Sequence, residues 1–216
     1  MASELSNQVD YWDSVATKKT FHSPFDFSVL EGFKPSLPIL DYGCGQGRIL
    51  RQLSDRGFLN LHGVDSSHKM ITLAETSLSN INLIELDSPP TTPFPDEYFA
   101  FVVLFSVLTC IPRKESQRQL ISEMKRVLAP GGQIYISDFE IQSDQRNLKR
   151  YAKGGPIGEL GVFETEDGAV LRHHTQDYLR ELLSDFALQA VWTFPGKTMN
   201  GNPTVIIQLL AQRKRR

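Results

Sequence analysis

Short apolar runs and helix-period apolar stripes alternate along this chain from about residue 39 to residue 138. Ile39-Leu40 ends on Asp41, and the next apolar positions are Ile49, Leu50 and Leu53. That pattern predicts a strand, a tight glycine turn and a helix running to about Arg56, with Gly57 as its C-cap. Leu59 to Val64 predicts a second strand ending at Asp65. Ser66 or Ser67 then caps a helix with Met70, Leu73, Ala74 and Leu78 on one face. Ile81 to Leu86 predicts a third strand ending at Asp87, followed by a Pro/Thr-rich loop over Ser88 to Pro95. Phe99 to Phe105 is continuously apolar, as a strand buried on both faces should be. A helix over about 114–128 carries Leu120, Met124, Val127 and Leu128, and Ala129-Pro130-Gly131-Gly132 ends it in a turn. Gln133 to Asp138 predicts a fifth strand. Strands alternating with helices of this length predict βαβ units and a parallel sheet.

The two ends differ from this middle. Residues 9–33 are rich in aromatics (Tyr11, Trp12, Phe21, Phe25, Phe27, Phe33) without a strand pattern. They predict helices around 8–18 and 24–32, packed on the domain as a lid. Residues 139–174 are polar and irregular, with a possible hairpin around Gly161 to Arg172 that turns at Asp167-Gly168. Thr175 caps a helix carrying Tyr178, Leu179, Leu182, Leu183 and Phe186. Leu188 to Phe194 and Thr204 to Ala211 read as two closing strands. A chain of 216 residues reads as one domain. Its parts are an N-terminal lid (1–34), a core (35–138), an insert (139–174) and a closing helix with strands (175–216).

Composition narrows the function. Hydrophobic residues make up 40% of the chain, enough to build a full core. The net charge of −2 gives no reason to expect nucleic acid as a partner. The basic end, Gln212-Arg213-Lys214-Arg215-Arg216, reads as a solvated terminus. Cys44 and Cys110 form neither a disulfide framework nor a zinc site, which fits a reducing cytoplasm. The N-terminus has no signal-peptide pattern, and the longest apolar run is too short to span a membrane. The expectation is therefore a cytoplasmic protein without membrane attachment. Its oligomeric state is left open.

The chemistry centres on Asp41-Tyr42-Gly43-Cys44-Gly45-Gln46-Gly47. A dinucleotide-binding turn has the form G-x-G-x-x-G. Counted from Gly43 and Gly45, its third glycine falls on Arg48, which speaks against an NAD(P) oxidoreductase. In an open α/β sheet, ligands bind beyond the carboxyl ends of the strands. Three successive predicted strands end on Asp41, Asp65 and Asp87. Asp65 is placed to accept the ribose hydroxyls of an adenosine, and Asp87 its adenine amino group, with Ser88 beside it.

These features resemble the class I S-adenosylmethionine-dependent methyltransferases. Ile39 to Leu50 resembles their motif I, Gly63-Val64-Asp65-Ser66 motif II, and Leu86-Asp87-Ser88 motif III. Phe94 to Ile111 resembles motif IV and the loop after it. Many relatives have an acid at the position of Ala100, and histidines at those of Thr109 and Cys110. The resemblance implies a Rossmann-like α/β fold with a seven-stranded, mostly parallel sheet. The last strand is antiparallel, and helices cover both faces. It also implies S-adenosyl-L-methionine as cofactor and a methyl acceptor as substrate. Asp41, Gly43, Cys44, Gly45 and Gly47 would hold the methionine end, and Asp65 with Ser66 the ribose. Met70, Asp87 and Ser88 would flank the adenine, while Leu104 and Phe105 line the floor. Tyr11, or else Trp12, would face the sulfonium by cation–π attraction, with Tyr11 preferred by resemblance.

The acceptor site is expected under the insert, the lid and the loop 195–203. His173 and His174 are candidates to take a proton from a hydroxyl or ammonium acceptor. The pattern fits two half-exposed loop histidines equally well. Thr198 to Asn202 offers amide contacts or a simple hairpin turn. Arg146, Lys149 and Arg150 offer a carboxylate site, though a solvated helix face fits them better. No metal is expected. The leading expectation is a methyltransferase of a small-molecule nitrogen or oxygen acceptor. The alternatives are a peptide or protein acceptor, or a cofactor-binding member that transfers nothing.

Overall fold

The computed structural model describes residues 2–19, 23–152 and 155–215, and side chains from residue 8 onward. The predicted lid residue Phe21 lies outside the described residues. The main strands are β1 (Ile39–Tyr42), β2 (Leu61–Asp65), β3 (Asn82–Glu85), β4 (Phe99–Phe105) and β5 (Leu128–Phe139). A small hairpin, β6 (Val162–Glu164) and β7 (Val170–Arg172), precedes the closing strands β8 (Phe186–Lys197) and β9 (Pro203–Arg213). The seven-stranded sheet has the order β3-β2-β1-β4-β5-β9-β8. Its first five strands run parallel, and β9 is antiparallel to both β5 and β8.

The helices are α1 (Ala2–Val15), α2 (Arg48–Ser54), α3 (His68–Ser77), α4 (Lys114–Val127), α5 (Gln145–Ala152) and α6 (Gln176–Leu182). Successive strand residues point to opposite faces, and the core divides accordingly. Leu40, Val102 and Leu104 pack with Leu120 and Met124 of α4 and Leu179 of α6. Ile39, Phe101, Val103 and Phe105 pack instead with Ile49, Leu50 and Leu53 of α2. Burying each such side chain contributes about 1.5–3 kcal/mol. Both faces of β1 and β4 are thus covered, and a ligand has access only at the strand ends.

Local signals place the helix starts well. Ser67 caps α3, its hydroxyl accepting from the Met70 amide at 3.2 Å. Thr175 caps α6 by accepting from the Tyr178 amide at 3.1 Å. The hairpin turns at Gly168.

Five expectations need correction. The first N-terminal helix lies at 2–15 rather than 8–18, and the second is only a 3₁₀ turn, Phe27–Leu30. Phe25, before that turn, is held by ring contacts to Phe105 and Tyr135 rather than by a helix. The predicted turn at Ala129 to Gly132 belongs to β5. Leu128 pairs with Phe99, the register then shifts, and Gln133 pairs with Phe101, so the glycines form a bulge within the ladder. β3 stops at Glu85, two residues short of Asp87. Finally, the insert contains a helix, α5, that its polar sequence concealed.

The segment before β1 is anchored by Gln208. The Gln208 amide donates to the Pro24 carbonyl (2.8 Å) and the Ser137 hydroxyl (3.1 Å). Its oxygen accepts from Tyr135 (2.7 Å) and Trp192 (2.9 Å). Each polar group of this buried set is paired, which is what makes it stabilising.

Candidate active site

A cavity of about 600 Å³ opens at the carboxyl ends of β1, β2 and β4, within the roughly 300–1,000 Å³ range of small-molecule sites. One wall is the glycine turn after β1. Gly43, Gly45 and Gly47 all have positive φ, which side chains other than glycine adopt at a cost. They do different work. A Cβ on Gly47 would come within 2.3 Å of Leu78 Cδ1, so this glycine lets α2 pack against the end of α3. A Cβ on Gly45 would meet only the Met70 sulfur, at 3.9 Å. Gly45 therefore leaves open space where a ligand can approach the backbone.

Two carboxylates back this wall. Asp65 accepts from the Gly45 amide (2.9 Å) and the Ser67 amide (2.9 Å), fixing the turn to the start of α3. Burial raises its pKa, and these amides offset only part of the rise. Asp41 is 2% exposed, and its Oδ2 has no hydrogen-bond partner. Burial raises its pKa to about 7, Arg48 opposing and Asp65 adding to the rise. A buried carboxylate oxygen without a partner is costly; one beside an open glycine wall is poised for a cationic, hydrogen-bond-donating ligand.

The opposite wall comes from the insert and the last loop. Arg146, Asn147 and Arg150 of α5 line the cavity, as do Phe163 and His173 of the hairpin region, and Lys197 to Asn200 with Thr204. Thr109 Oγ1, Asn147 Oδ1 and Thr204 Oγ1 are buried and have no hydrogen-bond partner. Together with Asp41 Oδ2, four of the buried polar atoms lacking partners among the described residues belong to residues of this one cavity.

The lid closes one side. α1 is tied to α3 through Asp13, which accepts from the Ser67 hydroxyl (2.5 Å) and the Lys69 amide (3.2 Å). Gln8 donates to the Val170 carbonyl at 2.8 Å, and Gln46 of the glycine turn donates to the Ala16 carbonyl.

Among the sequence candidates, Asp41, Gly43, Cys44, Gly45, Asp65, Ser66, Met70, Phe105 and His173 line the cavity. Gly47 supports it from behind. Leu104 is fully buried on the other face of β4, because its side chain points opposite to that of Phe105. Asp87 and Ser88 are exposed beyond the end of β3; Leu86 and Pro89 line the cavity there instead. Tyr11 is turned away: its hydroxyl donates to Asp167 at 3.1 Å, and its ring packs with Val15 and Ala169. Trp12 takes the cavity-lining place.

The two histidines also separate. His173 Nδ1 lies 2.6 Å from the Tyr151 hydroxyl. That hydroxyl also accepts from the Gln142 backbone amide (3.2 Å), which holds it beside the ring. Burial, followed by the charges of His174 and Arg150, lowers the His173 pKa to about 3. His174 does not line the cavity. It is 1% exposed, with Nε2 at 2.9 Å from the Gln117 amide nitrogen and Nδ1 at 3.3 Å from Asp138 Oδ1.

A family model described as a methyltransferase domain matches residues 40–136. A solved S-adenosylmethionine-dependent methyltransferase from Methanosarcina mazei superposes with a TM-score of 0.82 at 25% identity, covering 90% of this chain and all of that one. Residues 40–136 thus match a methyltransferase domain, and the fold is that of the class I S-adenosylmethionine-dependent methyltransferases. Its cofactor is accordingly S-adenosylmethionine. Two curated relatives differ in what their names describe. The biotin biosynthesis bifunctional protein of Teredinibacter turnerae is 29% identical over 70% of this chain. A probable tRNA methyltransferase of Mus musculus is 28% identical over 56% of it. The chain spans only 30% and 26% of those two relatives' lengths. Among the described residues no cluster of three or more His, Cys, Asp or Glu could hold a metal, and no helix is long and apolar enough to cross a membrane.

Proposed function

We propose that this protein transfers a methyl group from S-adenosylmethionine to a nitrogen or oxygen of a small-molecule acceptor. The observation that carries the reading is one continuous cavity with two unlike walls. The wall of Asp41, Gly45 and Asp65 suits the cofactor, and the wall of α5, the hairpin and the last loop suits an acceptor. The partnerless Asp41 Oδ2 and the open face of Gly45 are the features that fit the cofactor.

The bound cofactor would supply a methyl group already activated on a cationic sulfur, so the protein has little bond chemistry of its own to perform. Asp41 and the Gly43–Gly45 backbone would hold the methionine end, and Asp65 with Ser66 the ribose. Met70, Leu86 and Pro89 would flank the adenine. Trp12, rather than Tyr11, would offer the aromatic face. The lid, fixed by Asp13 and Gln8, would exclude water and help align donor and acceptor. His173, held at Nδ1 by Tyr151, would orient an acceptor through Nε2; its lowered pKa makes it a weak base. The division into lid (1–34), core (35–138), insert (139–174) and closing unit (175–216) belongs to the same reading. So does a cytoplasmic setting, which the two free cysteines suit.

A small molecule is favoured over nucleic acid because the chain carries a net charge of −2 and the acceptor wall lies inside a cavity. The test is transfer from methyl-tritiated S-adenosylmethionine into a deproteinised, nuclease-treated cell extract. Label is expected in low-molecular-mass products. Label appearing only with added protein or RNA, or nowhere, would overturn the small-molecule reading.

A further inference from the structure

The charges lining the cavity are unequal. Lys19, Arg48, Arg51, Arg146, Arg150 and Lys197 line it, against the carboxylates Asp41 and Asp65 alone. In a chain of net charge −2, that is a local concentration of positive charge. Both carboxylates sit on the glycine-turn wall, leaving the insert wall without one.

On that wall the two arginines of α5 lack a contact ion pair among the described residues. Arg146 and Arg150 are one helical turn apart on α5, so they share a face. Arg150 stacks its guanidinium over Phe163, 4.9 Å from the ring centre, and Glu166 and Asp144 act on it electrostatically without closing a contact ion pair. Lys149, on the same helix, does not line the cavity. Between the arginines lies Asn147, 3% exposed. Its Nδ2 donates to Asp144 at 2.6 Å, which fixes the orientation of the amide. That leaves Oδ1 buried and without a partner. Holding two like charges together at a partly buried site is unfavourable unless an anion joins them, and burial together with Arg146 already lowers the Arg150 pKa.

We propose that the acceptor carries an anionic oxyacid group, carboxylate or phosphate, gripped by Arg146 and Arg150, together with an N–H or O–H that donates to Asn147 Oδ1. This rests on the methyltransferase reading and supplies its substrate class. Two guanidiniums occupy the lone pairs of such an oxyanion, so it serves as the anchor while the methyl group goes to another atom.

The test is calorimetric titration of salicylate, phenyl phosphate and uncharged salicylamide into the protein, both free and saturated with S-adenosylhomocysteine. At least one anion should bind ten times more tightly than the amide. The better of the two anions distinguishes carboxylate from phosphate. R146A/R150A should reduce that preference to less than twofold while S-adenosylhomocysteine affinity stays within twofold. K149A, which removes a nearby charge outside the cavity, should change neither. The proposal is overturned if no anion is preferred, failure of all three probes to bind included. It is also overturned if the preference survives in R146A/R150A, or if that variant loses S-adenosylhomocysteine affinity more than fivefold, since the arginines would then serve the cofactor. Failure of the wild-type protein to bind S-adenosylhomocysteine would overturn the cofactor reading instead, and the titrations of the free protein would still decide the anion site.

Discussion

Asp41→Asn is expected to make the protein more stable at pH 8 and at least tenfold weaker in binding S-adenosylmethionine. Asp41 has a pKa raised from 3.8 to about 7 in the folded state. Between those values the folded chain holds a proton that the unfolded chain has lost. Stability therefore falls as pH rises through this window and stays reduced above pH 7. At 1.36 kcal/mol per pKa unit the full burden is on the order of 4 kcal/mol. Asparagine removes the charge but brings an amide that needs partners, so a net gain of about 1–3 kcal/mol is expected at pH 8. For a domain of this size that is a rise in Tm of roughly 2–4 °C per kcal/mol. At pH 4 the gain should vanish, because the aspartate is then protonated in the folded chain. The same carboxylate is needed by a cationic ligand, which gives the loss of affinity. Thermal unfolding at pH 4 and pH 8, with a binding titration, checks both. A variant less stable than wild type at pH 8 would show that the charge is already satisfied.

The two adjacent histidines should respond to substitution in opposite ways. His174→Ala removes a buried ring that spans Gln117 and Asp138 and stacks on Tyr178. The loss of packing and the stranded polar groups should cost about 2–4 kcal/mol, a fall in Tm of roughly 5–15 °C. His173 instead governs acid stability. Its pKa falls from 6.5 to about 3 on folding, so the unfolded chain binds the extra proton first. Its contribution is fully present above pH 6.5 and is lost as pH falls toward 3, on the order of 3–5 kcal/mol in all. His173→Phe keeps an aromatic ring beside Phe163 and should flatten the acid limb of the stability profile. Denaturant melts from pH 4 to pH 8 read both effects. An unchanged acid limb in His173→Phe, or an unaltered Tm in His174→Ala, would contradict this account.

The histidine pair also shows where sequence stops being informative. Neighbouring residues in extended chain point to opposite sides, so one faces the cavity and the other the core. Nothing local decides which is which. Tyr11 and Trp12 pose the same problem on a helix, where successive side chains are about 100° apart. Asp167, more than 150 residues away, draws the tyrosine out. Arg146 and Arg150 look like a solvated face because α5 is polar, and only the fold brings that face to the cavity. Asp87 stands exposed because β3, an edge strand, ends two residues before it, at Glu85.

By contrast, the glycine turn, the order of βαβ units and the caps at Ser67 and Thr175 were legible. Each depends on residues close together in sequence: apolar period, capping side chain or glycine spacing. The glycine turn also carried more meaning than its spacing alone revealed. Gly47 is fixed by packing against Leu78, whereas Gly45 is the position left open to a ligand.

The central claim is that this turn, Asp41 and Asp65 form the cofactor wall. Isothermal titration of S-adenosylmethionine into wild-type protein and Asp65→Ala at pH 7.5 tests it most directly. One site per chain is expected for wild type, with at least a tenfold loss of affinity in Asp65→Ala as the Gly45 amide loses its anchor. No binding by wild type, or equal affinity in a folded Asp65→Ala variant, would contradict the account.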